Sequence, residues 1–444
     1  MGDRRRLGHG ARHRAVHGAS ASGARRTPCP VAVIRRLLPA LLVAISACSN
    51  AVPEAEPFLG VWASQGWGII LHVHEGDADV YETSATHCLR ASSGSARNID
   101  DFVTLDGARL VLTDGGRVVY FVALPDLPAA CSTTLDASPQ AVLGAVVTAV
   151  EEHFHPGVDP EWAGRVAALT PPPAGDDAAL LAAITELLTP LRDPAIALQP
   201  GAGPIWAPSP GGAGSALAAA LRAGTLLPGA TIAGAGGIVA FDLGGGVQYL
   251  GLLRLGGSAD SSSGSQRVIA AALDQTLRHA SGLILDLRAA TTGAEVDALL
   301  VATRFVTART VVATIEGRVD DGGGRIHAGE AVVNPMPTGP FPGRVVVLIG
   351  PGTAGPAELL ALALAPLTNV VILGEPTAGS PRSPLVRTLP NGWVLGVPNT
   401  EVTVDGVPRV GNPLIPDETA VLTVEDVAAG RDPGLEAALA VIGS

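Results

Sequence analysis

Three apolar runs limit this chain's fold most tightly: Leu283-Ile284-Leu285-Asp286-Leu287, Val345-Val346-Val347-Leu348-Ile349 and Val370-Val371-Ile372-Leu373. A strand with one wet face alternates apolar and polar residues, whereas a strand covered on both faces is apolar nearly throughout, as in parallel sheets flanked by helices. Helical spacing fills the stretches between the runs, at Val296 to Phe305 and Ala357 to Ala365, and Val268 to His279 supplies a helix before the first run. Ile238 to Leu243 and Val247 to Leu253 flank Gly244-Gly245-Gly246 as a hairpin. The pattern predicts a single α/β domain over residues 237–444.

Upstream the periodicity changes. Short β-type runs at Gly68 to Val73, Asp101 to Thr104, Arg109 to Thr113 and Arg117 to Val122, with Asp114-Gly115-Gly116 as a turn, predict a small β domain over residues 58–135. Trp62 and Trp67 are read as part of its core. Residues 139–200 are read as a lobe of two or three helices, with Val142, Val146, Val147 and Val150 on one face and Leu180, Leu181, Ile184, Leu187 and Leu188 on another. Residues 201–236 are rich in Gly, Pro and Ala and read as a linker or irregular insertion, with a helical turn or two at Ala216 to Ala223.

Arg35 and Arg36 precede the apolar stretch Leu37 to Ile45, and Ile45-Ser46-Ala47-Cys48 follows as a small-residue cleavage site. These four residues resemble a bacterial lipobox. That resemblance implies that residues 1–47 are a leader and lipoprotein signal, that Cys48 is lipidated, and that residues 48–57 tether the protein to a membrane through the lipid. Ser49 after the Cys, rather than Asp, implies the periplasmic face of the outer membrane. Export would leave Cys88 and Cys131 in an oxidising compartment and predicts a disulfide between them. Such a loop closure contributes about 4 kcal/mol in the chain-entropy model.

Composition removes several chemistries. All 29 basic side chains are Arg and there is no Lys, so Lys-based phosphate loops, Schiff bases and Ser-Lys dyads are excluded. The formal charge is −12, and 9 Arg against one Asp fall within residues 1–47, leaving 20 Arg against 40 acidic residues beyond them. With aromatic residues at 3%, such a chain is not built to bind nucleic acid. His72/His74 and His153/His155 form two His-x-His pairs without an evident third ligand, so no metal site is expected, nor any cofactor. Asp320-Asp321 beside Gly322-Gly323-Gly324 reads as a solvated loop, because no Ca²⁺-binding register of carboxylates follows.

The run Leu283 to Arg288, with Gly293 five residues on, resembles a signature of the tail-specific, or C-terminal-processing, serine peptidases, which include the tricorn core. Further matches follow in order. Thr353-Ala354-Gly355-Pro356-Ala357-Glu358 resembles the family's Thr-Ala-Ser-Ala-x-Glu turn, Gly374-Glu375-Pro376-Thr377-Ala378-Gly379 its Gly-Glu-x-Thr-x-Gly turn, and Ile415-Pro416-Asp417 its closing segment. Leu191-Arg192-Asp193-Pro194-Ala195 stands where relatives carry Leu-x-Asp-Gly-His. The resemblance implies a crotonase-like α/β core, a helical lobe over a cleft, and binding of unfolded or extended peptide C-termini. Gly293, Thr353, Glu358 and Thr377 are the cleft-associated positions it implies.

The same resemblance locates the chemistry and finds it substituted. Gly355 stands at the nucleophile, so no Oγ is available to attack a carbonyl. Pro356 follows it, and Pro has no N–H to offer an oxyanion. The family's base is a Lys in one branch and the His of Asp-Gly-His in the other; this chain has no Lys, and Ala195 takes the His position. Counting back from the Pro-Asp segment puts the carboxylate that orients the His at Val410. Losing a triad member leaves about 10³–10⁴-fold residual acceleration, and losing an oxyanion donor costs about 10²–10³ more. The resemblance therefore implies a pseudopeptidase. Taken alone, Gly355-Pro356 is also an ordinary helix start. Two alternatives stay open: an active serine endopeptidase with relocated residues, drawn from Ser380, Thr353, His153, His155 and His327, and a structural or assembly lipoprotein of the envelope.

Overall fold

A computed structural model describes residues 56–96, 103–114, 117–201, 203, 205–207, 212–256, 262–318 and 324–443. The leader, Cys48, most of the tether, Gly115, Gly116 and residues 319–323, with the Asp320-Asp321 pair, lie outside the described residues.

The chain begins with β1 (Gly60–Ser64), β2 (Ile69–His74), β3 (Asp77–Thr83), β4 (Cys88–Ser95), β5 (Val103–Asp106), β6 (Arg109–Asp114) and β7 (Arg117–Leu124). Helices α1 (Pro139–His153), α2 (Trp162–Ala168) and α3 (Asp177–Leu188) follow, then β8 (Ala197–Gln199) and α4 (Gly212–Ala223). Next come β9 (Thr231–Ala233), β10 (Ile238–Gly244), β11 (Val247–Leu252), α5 (Ser262–Leu277), β12 (Gly282–Asp286), α6 (Glu295–Ala302), β13 (Thr310–Arg318) and β14 (Arg325–Val333). The rest comprises β15 (Arg344–Ile349), α7 (Pro356–Leu364), β16 (Val370–Gly374), β17 (Leu385–Thr388), β18 (Val394–Val397), β19 (Thr400–Val404), β20 (Val407–Pro408), β21 (Glu418–Thr419), α8 (Val424–Ala428) and α9 (Pro433–Gly443).

The apolar runs form the middle of a sheet ordered β21-β16-β15-β12-β11-β10-β9, parallel from β11 through β21 and antiparallel at β9–β10–β11. Alternate residues serve opposite faces, which is why the runs are apolar apart from Asp286 at the end of β12. Leu283, Leu285, Val345, Val347 and Ile349 pack with α6 and α7. Ile284, Val346 and Leu348 face Leu217 and Leu221 of α4 and Ala438 of α9. The fold is thus mixed α/β, as the runs predict.

Two expected boundaries dissolve in this arrangement. The N-terminal strands belong to an antiparallel sheet ordered β20-β19-β13-β14-β7-β1-β2-β3-β4, in which β14 meets β7 at Gly329 and Arg117. Arg117 also forms a two-pronged ion pair with Glu295 at 2.9 and 2.5 Å, and Ile315, Ala328 and Leu385 share a core with Trp62, Trp67 and Leu71. Residues 201–236 include α4, with Leu217 and Leu221 wholly buried, and edge strand β9, so the segment is an integral layer and not a linker. Its small residues read as low complexity, yet they permit close approach: a Cβ on Gly214 would lie 3.0 Å from the Arg288 carbonyl oxygen. The lobe of α1–α3 closes its core with Trp393, Leu395 and Val397 from far downstream, on a small sheet ordered β17-β18-β8. Cys88 and Cys131 form the expected disulfide.

At the carboxyl end of β12, Arg288 is buried between two carboxylates. Its Nε and Nη2 donate to Asp286 at 3.0 and 2.6 Å, and Nη1 and Nη2 donate to Asp432, ahead of α9, at 2.7 Å each. Tyr249 Oη donates to Asp286 at 2.8 Å. Burial disfavours the guanidinium charge, but the two carboxylates outweigh it and hold its pKa well above the usual arginine value. Replacing Arg288 by Met would leave two buried carboxylates unpaired, a loss of about 3–5 kcal/mol. Urea unfolding of Arg288→Met checks this, and a midpoint equal to that of the unmodified chain would show that the network adds nothing.

Candidate functional site

The loops that follow β12, β15 and β16 gather at the carboxyl edge of the parallel sheet, where open α/β sheets place ligands. They are tied to one another through the backbone. Ala354 N–H donates to Ala290 O at 3.2 Å, Ala378 N–H to Thr353 O at 3.0 Å and Gly355 N–H to Ser380 O at 2.8 Å. A fourth segment joins through Gly411 N–H to Gly379 O at 2.8 Å and Thr377 N–H to Leu414 O at 3.1 Å.

Gly355 is the residue before α7, with φ 57° and ψ −132°, a conformation glycine adopts and L side chains rarely do. Space is not the obstacle to a side chain, because a Cβ would meet its nearest atom, the Arg382 carbonyl oxygen, at 3.4 Å. The position offers neither a hydroxyl nor a free donor: its N–H is committed to Ser380, and Pro356 has none. Thr353, wholly buried, spends its hydroxyl on Leu287 O at 2.9 Å and accepts Gly350 N–H at 3.0 Å. Gly293 is required by close approach, since a Cβ there would fall 2.0 Å from Leu255 O.

Glu358, in the first turn of α7, holds the loop after β16. Its carboxylate accepts from Thr377 Oγ1 at 2.5 Å, Gly379 N–H at 3.1 Å and Ser380 N–H at 2.8 Å. Burial nevertheless prevails over these donors and raises its pKa to about 7.

Asp193, in the segment Leu191 to Ala195, links the helical lobe to this edge. One carboxylate oxygen accepts Ala195 N–H at 2.9 Å and Ser380 Oγ at 3.1 Å, and the other accepts Arg382 Nη2 at 2.5 Å. Ala195 and Gly355 therefore both attach to Ser380, one through Asp193 and the other directly. Ser380 is 1% exposed and its hydroxyl is committed to a carboxylate, the wrong partner for a nucleophile.

Motif reading missed Arg382 and Glu401. Arg382 is fully buried and also donates to His155 O at 2.7 Å and to Thr400 O. Glu401 on β19 meets His155 Nε2 at 3.1 Å, and its other oxygen accepts Val410 N–H at 3.3 Å and Val402 N–H at 3.1 Å. Burial opposes the Glu401 charge, yet His155 and these N–H groups hold its pKa below the usual value. Val410 itself contributes only its backbone N–H, which donates to this carboxylate, a contact that no count along the chain reveals. His153 contacts Arg387 at 3.2 Å, and burial together with Arg387 and Arg318 lowers its pKa well below the usual value. His327 lies exposed on β14, opposite Glu316 of β13. Arg382 Nε, Ser383 Oγ, Thr400 Oγ1 and both side-chain amide atoms of Asn399 are buried without a protein partner, a concentration of polar atoms that water or a polar ligand would satisfy.

Residues 250–417 match the sequence model of Peptidase family S41. No curated protein matches the chain. Among solved structures it is similar to a candidate peptidase from Parabacteroides merdae, at 19% identity and a TM-score of 0.53 over 70% of this chain and 98% of that one. A lipoprotein from Streptococcus agalactiae and a photosystem II D1 C-terminal processing protease align over the same shares, at 13% and 18% identity with TM-scores of 0.44 and 0.39.

The raised pKa of Glu358 has a definite pH signature. Its folded value, about 7, exceeds the ordinary glutamate value of 4.5, so its contribution is complete below the unfolded value and is lost as pH rises through the folded one. The loss is on the order of 3 kcal/mol for a shift of that size. Urea unfolding of the parent and of Glu358→Gln between these two pH values is expected to show a decline in the parent that the variant lacks. Parallel profiles would refute the assignment.

Proposed function

We propose, from the match of residues 250–417 to Peptidase family S41, the family of the tail-specific serine peptidases, that this chain is a pseudopeptidase that binds extended peptide or protein C-termini without hydrolysing them. The observation that carries this reading is Gly355-Pro356: no hydroxyl stands at the helix start, the Gly355 N–H is already bonded, and Pro356 has no donor. Ala195 supports it, being attached to the same network with no imidazole. The His155–Glu401 pair favours the second reading, a relocated serine peptidase, because a carboxylate orients a potential base there. Within the same proposal, the protein is exported and anchored through a lipid on Cys48 at the periplasmic face of the outer membrane.

Incubation with a fluorophosphonate probe and with unfolded protein is expected to give no labelled Ser and no cleavage; labelling would establish the second reading. Peptides with free C-termini are expected to bind saturably and their amidated forms more weakly. Failure of both sets would leave a structural role. Gly355→Ser is expected to remain unlabelled, since base and donor are still lacking, and to lose about 1–3 kcal/mol from its positive φ. For the anchor, detergent-phase partitioning in expressing cells is expected for the parent chain and not for Cys48→Ala; equal partitioning would refute lipidation.

A further inference from the structure

The β2–β3 hairpin turns at Glu75-Gly76, where Gly76 has φ 83°, and this two-residue connection sets the register His72↔Asp79 and His74↔Asp77. Residues two apart on a strand share a face, and so do residues directly opposite in an antiparallel pair. His72, His74 and Asp79 therefore point to the same side of the sheet. One ligand atom from each lies within 4.8 Å of the other two. The imidazole rings are 5.0 Å apart between centroids, and His74 Nε2 stands 3.5 Å from Asp79 Oδ2.

That separation is too long for a good N–H···O hydrogen bond. It is close to the ~3.4 Å edge of a tetrahedron whose metal–ligand bonds are ~2.0–2.1 Å. Two imidazoles and a carboxylate suit a borderline divalent transition ion such as Zn²⁺ and are a poor set for Ca²⁺ or Mg²⁺, which take oxygen ligands. The histidines are half-buried and Asp79 is 8% exposed, so the carboxylate is held in place while the site stays open to solvent. The competing cation is Arg90, whose Nη1 lies 3.6 Å from Asp79 Oδ2, but its side chain is 59% exposed and free to swing into water.

We propose that His72, His74 and Asp79 bind one divalent transition-metal ion, with a fourth position left to water or to a group of a partner. The site lies on β2 and β3, uses none of the residues around Gly355, and does not depend on the peptide-binding reading.

The test uses the full chain stripped with a chelator, titrated with Zn²⁺ by calorimetry and with Co²⁺ by visible absorption. One ion per chain is expected, with a tetrahedral-type Co²⁺ spectrum. His72→Ala, His74→Ala and Asp79→Asn should each weaken binding by roughly tenfold or more. His327→Ala should leave it unchanged, and Arg90→Ala should tighten it. Zn²⁺ should raise the urea midpoint of the parent and not that of the three ligand variants, with near-ultraviolet circular dichroism reporting that each variant is folded. Absence of binding to the parent chain, or binding that survives in folded forms of all three ligand variants, would overturn the proposal.

Discussion

The carboxyl edge of the parallel sheet is organised around one buried cation. Arg288 neutralises Asp286 beside it and Asp432 ahead of the last helix, and its main chain sets how closely other segments may come. A Cβ on Gly352 would lie 2.4 Å from the Arg288 carbonyl oxygen, one on Gly214 3.0 Å from it, and one on Gly434 2.8 Å from its guanidinium. The turn leading to α7, the N-terminal part of α4 and the start of α9 are thus fitted against one residue. Taking a guanidinium and two carboxylates out of water is costly, and their mutual hydrogen bonding is what makes the burial tolerable.

Two further carboxylates extend this order to the loops. Glu358 pins Thr377, Gly379 and Ser380 to the start of α7, while Asp193 joins Ser380 and Arg382 to the helical lobe. None of these bonds uses a side chain at 195 or 355. The loops at this edge are therefore positioned by carboxylates, hydroxyls and backbone N–H groups, and their arrangement does not depend on which side chain stands at 195 or 355.

Much of the parallel sheet was legible because its signal is local. Strands β12, β15 and β16 and the β10–β11 hairpin appear as apolar runs and a glycine turn, and α6 and α7 as helical periods between them. Of the Ala/Gly-rich α4 only a turn or two at Ala216 to Ala223 was legible, since a helix that must pack tightly on Arg288 uses the same small residues as a linker. Separate β and helical domains were expected upstream, but β7 pairs with β14 and the lobe completes its core with Trp393 and Leu395. Those contacts join segments hundreds of residues apart, and periodicity carries no information about them. Thr353 and Thr377 were named for a motif, and their hydroxyls prove to be structural bonds; Arg382 and Glu401 had no motif to announce them.

What the sequence by itself determined is covalent: no ε-amine anywhere, no hydroxyl at Gly355, no N–H at Pro356, no imidazole at Ala195. Such absences hold in any conformation. Only the tertiary structure decided which groups stand together, bringing Glu401 to His155 and to the backbone of Val410, and Asp79 to His72 and His74. Those juxtapositions depend on strand register and on packing between distant segments, where a shift of one residue turns a side chain to the opposite face.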